Sequence, residues 1–241
     1  MKSVVRDYRG DYSALLEEAI ALSDKYLDSN TGIIWKQVKG SGEETKGCDG
    51  VEAFVAKSEA LTEPQWPVIK ASTILHGITP KQLSNLLMDS ARVTDYNEFA
   101  VRRVDLEVLK SPIKGVEEKI IYVQTRNPFK LKPYDMVSIM RSAPSPKAKG
   151  GMRIITKGCE HVKAPPHPAY RRSSVVVAVN ECLPHRERGS KRVTGTKIIT
   201  VTQSRYIGIP KIFLNKMNTI GNVQYLAGLR RYVRDFNQWK K

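Results

Sequence analysis

The sequence predicts an α+β fold with a mainly antiparallel sheet, and two observations support this prediction. Nine short segments have the patterns of β-strands, and connections rich in Gly, Pro and charged residues separate them. Helical periodicity occurs at three places: near the N-terminus, after the third strand and at the C-terminus. A series of strands with one inserted helix and one terminal helix is typical of the α+β class.

The first half of the chain contains two predicted helices and three predicted strands. Residues 11–27 form an amphipathic helix with its leucines and isoleucine near one stripe. The strands of this half lie around residue 35, at 51–58 and at 68–77. Thr79 is a good cap for a second helix and Pro80 fits its first turn, so this helix is expected to run to about Arg92.

The second half contains six predicted strands and a long helix. The strands lie at 101–109, 119–126, 134–141, 151–158, 173–183 and 196–204. In the first of them, Val104, Leu106 and Val108 alternate with charged residues, which indicates a half-buried strand. The last helix begins after Pro210 and extends to about Trp239. Its apolar stripe consists of Phe213, Met217, Ile220, Val223, Leu226, Val233 and Phe236.

The charge of the protein is large and unevenly distributed. The chain has 40 Lys and Arg against 24 Asp and Glu, a formal net charge of +16. Residues 1–120 contain 16 basic and 19 acidic residues, whereas residues 121–241 contain 24 basic and 5 acidic residues. A segment this basic favours an anionic partner, either nucleic acid, a membrane surface or an acidic ligand.

Cysteine usage and hydropathy predict a cellular compartment. Cys48, Cys159 and Cys182 are too few and too scattered for a disulfide scaffold, which indicates a reducing compartment. The N-terminal segment has no apolar stretch typical of a secretory signal. The longest apolar run, 175–179, is much shorter than a helix that crosses a membrane. We therefore expect a soluble, intracellular protein.

The sequence contains no arrangement of residues typical of an enzyme. Its four histidines, His76, His161, His167 and His185, have no metal-ligand spacing, and no GxSxG or nucleotide-binding glycine motif is present. Isolated polar residues instead interrupt apolar strands: Tyr122, Gln124, Ser138, Asn180 and Gln203. They either line an apolar cavity and meet the polar end of a ligand, or face water or bond one another across strands. Spacing alone favours the second interpretation.

Five motifs follow one another along the chain. They are Trp35 with Asp49-Gly50-Val51 and Phe54; the segment 79–109 with Tyr96-Asn97; Pro133 and Asp135 in KPYDMVSIMR; the segment 158–185; and Pro210 with Asn215 in IGIPKIFLNK. In this order they resemble the motifs of the START family, the lipid-transfer domains related to steroidogenic acute regulatory protein. The resemblance covers about residues 11–239.

The resemblance implies a helix-grip fold, in which a curved antiparallel β-sheet wraps around the long C-terminal α-helix and leaves an internal lipid cavity. It implies one lipid-binding domain at 11–239, with an N-terminal extension at 1–10 and a tail at 240–241. The implied function is an intracellular lipid-binding and lipid-transfer protein. Such a protein sequesters one phospholipid, sterol or ceramide and shuttles it between membranes, without catalytic residues, cofactor or metal.

The implied partners are a lipid ligand and, through peripheral contact, anionic membranes. No nucleic acid is expected as a partner. The protein is expected to be a monomer, and its location cytoplasmic with transient membrane association.

The predicted site has three parts. The cavity residues are Tyr122, Gln124, Met136, Ser138, Met140, Ala178, Asn180 and Gln203. The lid, formed by the 127–133 loop and the last helix, includes Asn127, Phe129, Leu131, Phe213, Met217, Ile220 and Val223. Arg230, Arg231 and Arg234 are expected to dock on anionic membrane. The family's frequent cavity arginine falls at Met140 here, and Arg141 has the opposite strand parity, so the cavity is expected to lack that cation.

Two other functions are compatible with parts of the sequence. A nucleic-acid-binding protein would account for the basic half, in which Arg186, Arg188, Lys191 and Arg192 form a compact run. A hydrolase or cyclase could use the same cavity, because one fold supports several chemistries. Its candidate residues would be His161 and Glu181, although Glu181 has the strand parity opposite to that of Asn180.

Overall fold

The computed structural model describes residues 12–38, 50–56, 61–111, 113–126, 132–187, 189, 192–209 and 211–238. Within α4 it leaves the side chains of 211–213, 215–218 and 237–238 undescribed. The helices are α1 Tyr12–Leu27, α2 Pro80–Met88, α3 Val93–Tyr96 and α4 Lys211–Gln238. The strands are β1 Trp35–Gln37, β2 Glu52–Ala56, β3 Val68–His76, β4 Ala100–Leu109, β5 Glu117–Thr125, β6 Tyr134–Pro144, β7 Met152–Gly158, β8 Arg171–Arg172, β9 Ser174–His185 and β10 Gly195–Arg205.

The predicted α+β class is confirmed, and each of the nine predicted strands corresponds to an observed strand. The short strand β8 is the addition. The second predicted helix ends earlier than expected, because Asp89 has an extended backbone and separates α2 from a 3-10 turn at Ser90–Arg92. Its predicted start is correct: the Thr79 hydroxyl accepts from Gln82 N at 3.3 Å, and Gln82 Oε1 accepts from Thr79 N at 3.0 Å.

One sheet contains all the strands that the structure describes. Its order is β1-β2-β3-β10-β9-β7-β6-β5-β4, and each neighbouring pair is antiparallel. The exception is β8, which pairs in parallel with the start of β6. The last strand, β10, therefore lies between β3 and β9 in the interior of the sheet rather than at an edge.

The sheet has two buried faces. On the face that we call inner, α2, α3 and α4 pack in one cluster with residues such as Ala71, Ile154 and Ile198. On the opposite face, called outer, α1 packs on β7 and β9, in a cluster that includes Ile155 and Val201. Because side chains alternate along a strand, these clusters and the strand register assign the paired residues to a face.

The C-terminal half of α4 is fixed against the sheet. Val223, Leu226, Leu229 and Val233 are buried in the inner cluster, and the helix packs on β2, β3 and α3. At Gly228 a Cβ atom would lie 2.0 Å from the backbone oxygen of Tyr96, so only glycine allows α4 to approach α3 this closely. Among the helices that the structure describes, none has both the length and the hydropathy needed to cross a bilayer.

Candidate functional site

The inner face of the five central strands carries no charged side chain. Its positions, all within the described residues, are the odd residues 69–75 of β3, the even residues 134–144 of β6 and 152–158 of β7, the even residues 178–184 of β9, and the even residues 196–204 of β10. These positions contain aliphatic residues, methionines, small residues, one tyrosine, one asparagine and several hydroxyl groups. Such a wall suits a ligand that is mostly apolar.

Charged residues of the same strands lie on the outer face instead. They are Lys70, Asp135, Arg141, Arg153, Lys157, Glu181, Lys197 and Arg205. Two of them attach α1 to the sheet: Arg153 Nη1 lies 2.6 Å from Asp24, and Lys157 Nζ lies 2.7 Å from Glu18. The strands thus separate charged from uncharged residues between the two faces.

Part of the inner wall remains accessible. Met140, Thr156, Ala178 and Thr202 form one row across β6, β7, β9 and β10. Thr156, Ala178 and Thr202 are half-buried, although they lie on central strands. On β9, by contrast, the two residues next to Ala178 point to the outer face and are fully buried: Val177 and Val179. We call the space between α4, which packs on β2 and β3, and the strands β6, β7 and β9 the hollow, and we take it as the candidate ligand site.

Two side chains of α4 contact polar groups of this wall. Tyr225 donates from its hydroxyl to Asn180 Oδ1 at 3.5 Å, and the Thr202 hydroxyl donates to Asn222 Oδ1 at 3.1 Å. Burial raises the pKa of Tyr225 well above its ordinary value, and the neighbouring Tyr96 adds to this effect. The hydroxyl of Tyr225 is therefore protonated and neutral at physiological pH.

Charged groups do occur on the inner face at the β4–β5 end, where they bind one another and the end of α2. Lys119 Nζ lies 2.8 Å from Asp105 Oδ1 and also donates to the carbonyl oxygen of Met88. Arg103 donates to Leu87 O at 2.8 Å and to the hydroxyl of Ser90 at 2.9 Å. Cations are favourable at a helix C-terminus, so these two side chains anchor α2 across the sheet.

Five of the eight predicted cavity residues lie together on the inner face. They are Met136, Ser138, Met140, Ala178 and Asn180. Met140 is inward and 5% exposed, whereas Arg141 is outward with its Nε 3.5 Å from Glu118 Oε1. The expected absence of a cation at this position of the wall is therefore observed.

The other three predicted cavity residues, Tyr122, Gln124 and Gln203, lie on the outer face, and the prediction is wrong for them. Gln124 Nε2 donates to the Tyr122 hydroxyl at 3.0 Å. The Tyr122 hydroxyl in turn donates to Asp135 Oδ2 at 3.1 Å. The Gln203 amide accepts from the Tyr26 hydroxyl at 2.8 Å and donates to two backbone oxygens of the 61–67 segment. These polar side chains therefore form hydrogen bonds within the protein on the outer face, as buried polar groups usually do, and do not line the hollow.

The predicted lid is only partly described. Asn127, Phe129 and Leu131 lie outside the described residues, and Phe213 and Met217 are placed in α4 without described side chains. Ile220 is half-buried. Val223 is buried in the cluster against the sheet, so it belongs to the fixed part of α4.

The predicted docking arginines lie far along α4 from Leu214, which packs with Tyr134. Tyr134 directly follows the predicted lid loop in the sequence, and Leu214 lies at the start of α4. Arg231 comes 17 residues after Leu214, a separation of about 25 Å along a helix. Arg231 and Arg234 are exposed, and Arg234 Nε lies 3.3 Å from Asp235. Arg230 is half-buried, with its guanidinium over the backbone of Gly50.

The two candidate catalytic residues lie away from the inner wall. His161 Nε2 lies 3.2 Å from Glu107 Oε2, and both groups belong to the outer side. Glu181 is fully buried on the outer face, 2.6 Å from Arg153 Nε. Burial raises the pKa of the Cys159 thiol to about 12, which disfavours the nucleophilic thiolate. In the described part of the chain, no three His, Cys, Asp or Glu residues are arranged to hold a metal ion.

Sequence signals for the missed residues were present but weak. The sequence interpretation omitted Thr156, Thr202, Asn222 and Tyr225. Asn222 and Tyr225 are spaced by three residues, which places them on one side of a helix beside the apolar stripe. The alternation of Thr200 and Thr202 with Ile199 and Val201 would have identified the inner side of β10, had the side of one residue been known.

Comparison with known proteins identifies the fold. No family model and no curated protein matches the sequence. Human StAR-related lipid transfer protein 5 superposes with a TM-score of 0.70 at 17% identity, covering 94% of this chain and 100% of that chain. Human STARD10 gives 0.69 at 16% identity, with coverages of 93% and 81%. A STAR-related lipid transfer protein fragment from Xanthomonas axonopodis gives 0.61 at 14% identity, with coverages of 83% and 98%. The chain therefore has the helix-grip fold of START domains.

Proposed function

We propose that this chain with a START-type fold is a lipid carrier, which binds one lipid between α4 and the inner face of the sheet and transfers it between membranes. The main support is the separation of charge between the sheet faces, because it leaves an uncharged wall beside an accessible hollow. The named functions of the structural neighbours, lipid transfer proteins from human and bacterial sources, agree with this proposal.

Hydrophobic transfer is sufficient to hold such a ligand. Each methylene removed from water contributes about 0.8 kcal/mol, so an acyl chain or a ring system binds without a covalent step. Met136 and Met140 provide flexible side chains that adapt to different apolar shapes. The carrier proposed here therefore needs no catalytic group.

The proposal is tested by extraction and transfer. Protein purified from cells is extracted with organic solvent and analysed by mass spectrometry, and lipid movement between donor and acceptor vesicles is measured with and without protein. We expect about one lipid per protein and an accelerated transfer. If neither is found over a panel of sterols, glycerolipids and sphingolipids, the chain is not a lipid carrier.

Membrane contact is the second part of the proposal: the exposed arginines of α4 bind the surface of anionic membranes. Replacing both Arg231 and Arg234 by Glu is expected to weaken binding to phosphatidylserine vesicles about tenfold or more, because each basic residue near such a surface contributes about 1 kcal/mol. Vesicle co-sedimentation measures this effect. Lipid affinity in detergent-free solution should stay unchanged, since both side chains lie outside the hollow.

A control variant separates local docking from net charge. Replacing Lys36 and Lys197 by Glu makes the same change in net charge at two exposed strand positions. If this variant weakens vesicle binding as much as the arginine variant does, the arginines of α4 have no special role in docking.

A further inference from the structure

The charges nearest to the proposed site are already compensated. On the inner face of β4 and β5, the described charged residues are Arg103, Asp105, Glu117 and Lys119. Lys119 pairs with Asp105, and Arg103 binds the end of α2. Glu117 is more than half exposed at the rim, 3.3 Å from Lys81. An anionic lipid headgroup would therefore have to displace an existing partner to reach either of these described cations, Arg103 or Lys119.

Asn180 is the one side-chain amide among the inner positions of the five central strands. In the strand register it lies between Ile154 of β7 and Thr200 of β10, which are both buried. Its hydrogen bond with Tyr225 is 3.5 Å long, close to the limit for such a bond. Among the described residues, none accepts a hydrogen bond from the amide nitrogen of Asn180.

Asn180 is half-buried, so its amide nitrogen is open to a ligand in the hollow. An amide that an apolar ligand covers needs a hydrogen-bond partner, because a polar group removed from water without one lowers stability. A ligand hydroxyl is a donor and an acceptor at once, so it can accept from Asn180 Nδ2 and donate to the hydroxyl oxygen of Tyr225. A phosphate can accept from both groups, but its charge would be desolvated without a free cation beside it.

We infer that the cargo is a lipid whose polar end is an uncharged hydroxyl group, recognised by Asn180 and Tyr225. This inference rests on the proposed carrier function and specifies the class of lipid. Diacylglycerols and sterols belong to this class, whereas phosphatidic acid and phosphatidylserine do not. Asn180 and Tyr225 then determine specificity, while the apolar wall supplies most of the affinity.

The test compares probes that differ only at the polar end. The protein is loaded from vesicles that contain equal amounts of dioleoylglycerol, its 3-acetyl ester and dioleoyl phosphatidic acid, and the extracted lipid is quantified by mass spectrometry. A parallel set with cholesterol and its methyl ether covers sterols. In at least one set, we expect the protein to load more of the hydroxyl-bearing lipid than of phosphatidic acid or of the form whose hydroxyl is blocked.

Variants connect this preference to the two residues. Asn180→Leu and Tyr225→Phe should each reduce the preference for the hydroxyl over the blocked form about three- to tenfold, the effect of one net hydrogen bond. Tyr122→Phe removes a hydroxyl from the outer face and should leave the preference unchanged. Melting curves establish that each variant is folded before it is loaded.

The possible results are distinguishable. Preferential loading of phosphatidic acid, or a preference that survives both Asn180→Leu and Tyr225→Phe, overturns the inference about cargo and leaves the carrier function intact. If no probe is loaded, and native extraction also finds no lipid, the carrier function and the cargo inference both fail.

Discussion

Replacing Ala178 by phenylalanine is expected to reduce the lipid carried per protein about tenfold or more while the protein stays folded. Ala178 is half-buried in the row of residues that faces the hollow, so a larger side chain has space to enter. An aromatic ring there would occupy volume that the lipid needs. The amount of lipid is measured by extraction after loading from vesicles, and folding by thermal unfolding.

Ala71 provides the matched control. It lies on the same face, but on β3 in the cluster with α4, and it is 0% exposed. Because no space is available there, Ala71→Phe should destabilise the protein by about 1–3 kcal/mol or more through overpacking. If Ala178→Phe destabilises the protein as much as Ala71→Phe does, the wall at Ala178 is packed and the hollow does not exist.

Replacing Glu181 by leucine should lower the free energy of unfolding by about 3–5 kcal/mol, the effect of removing one partner from a buried ion pair. Arg153 is 5% exposed and would keep Asp24 as its remaining anionic partner, at 56% side-chain exposure. The loss is measured by urea denaturation. Lipid selectivity in the folded fraction should not change, because this pair lies on the outer face.

A double variant tests the mechanism of this loss. Replacing Arg153 by methionine together with Glu181→Leu removes both charges, and buried pairs replaced by apolar residues of similar size often keep their stability. We therefore expect the double variant to be more stable than Glu181→Leu alone. If it is less stable, the effect of Glu181 does not come from a buried arginine left with the exposed Asp24 as its anionic partner.

Local sequence patterns were sufficient for the three long helices and nine of the strands, but not for β8 or α3. Alternation predicted strands such as β4, and the Thr79 cap predicted the start of α2, because both depend on residues close in sequence. The position of β10 between β3 and β9 depends on contacts between distant parts of the chain. The START resemblance indicated the final arrangement, in which the sheet wraps around the last helix. Periodicity alone carries no information about this arrangement.

The candidate site was predicted less completely, for a physical reason. Alternation shows which residues share a face but not which face is inside, and here helices cover both faces. Tyr122 and Gln124 were therefore grouped correctly with each other and assigned to the wrong side. Gln203 was predicted as a ligand-binding amide because it interrupts an apolar strand sequence, but it bonds Tyr26 and the 61–67 segment.

The hydroxyl groups along the inner wall have a consequence for hydration. Thr156 and Thr202 are half-buried and can bind water, and a hollow with such groups admits water where a purely apolar one stays dry. Without cargo, the protein would then hold a small ordered solvent cluster instead of collapsing onto itself. Loading becomes an exchange of water for hydrocarbon, so binding should show a negative heat-capacity change. Under the proposed carrier function, this water would let the protein leave a membrane unloaded and still folded.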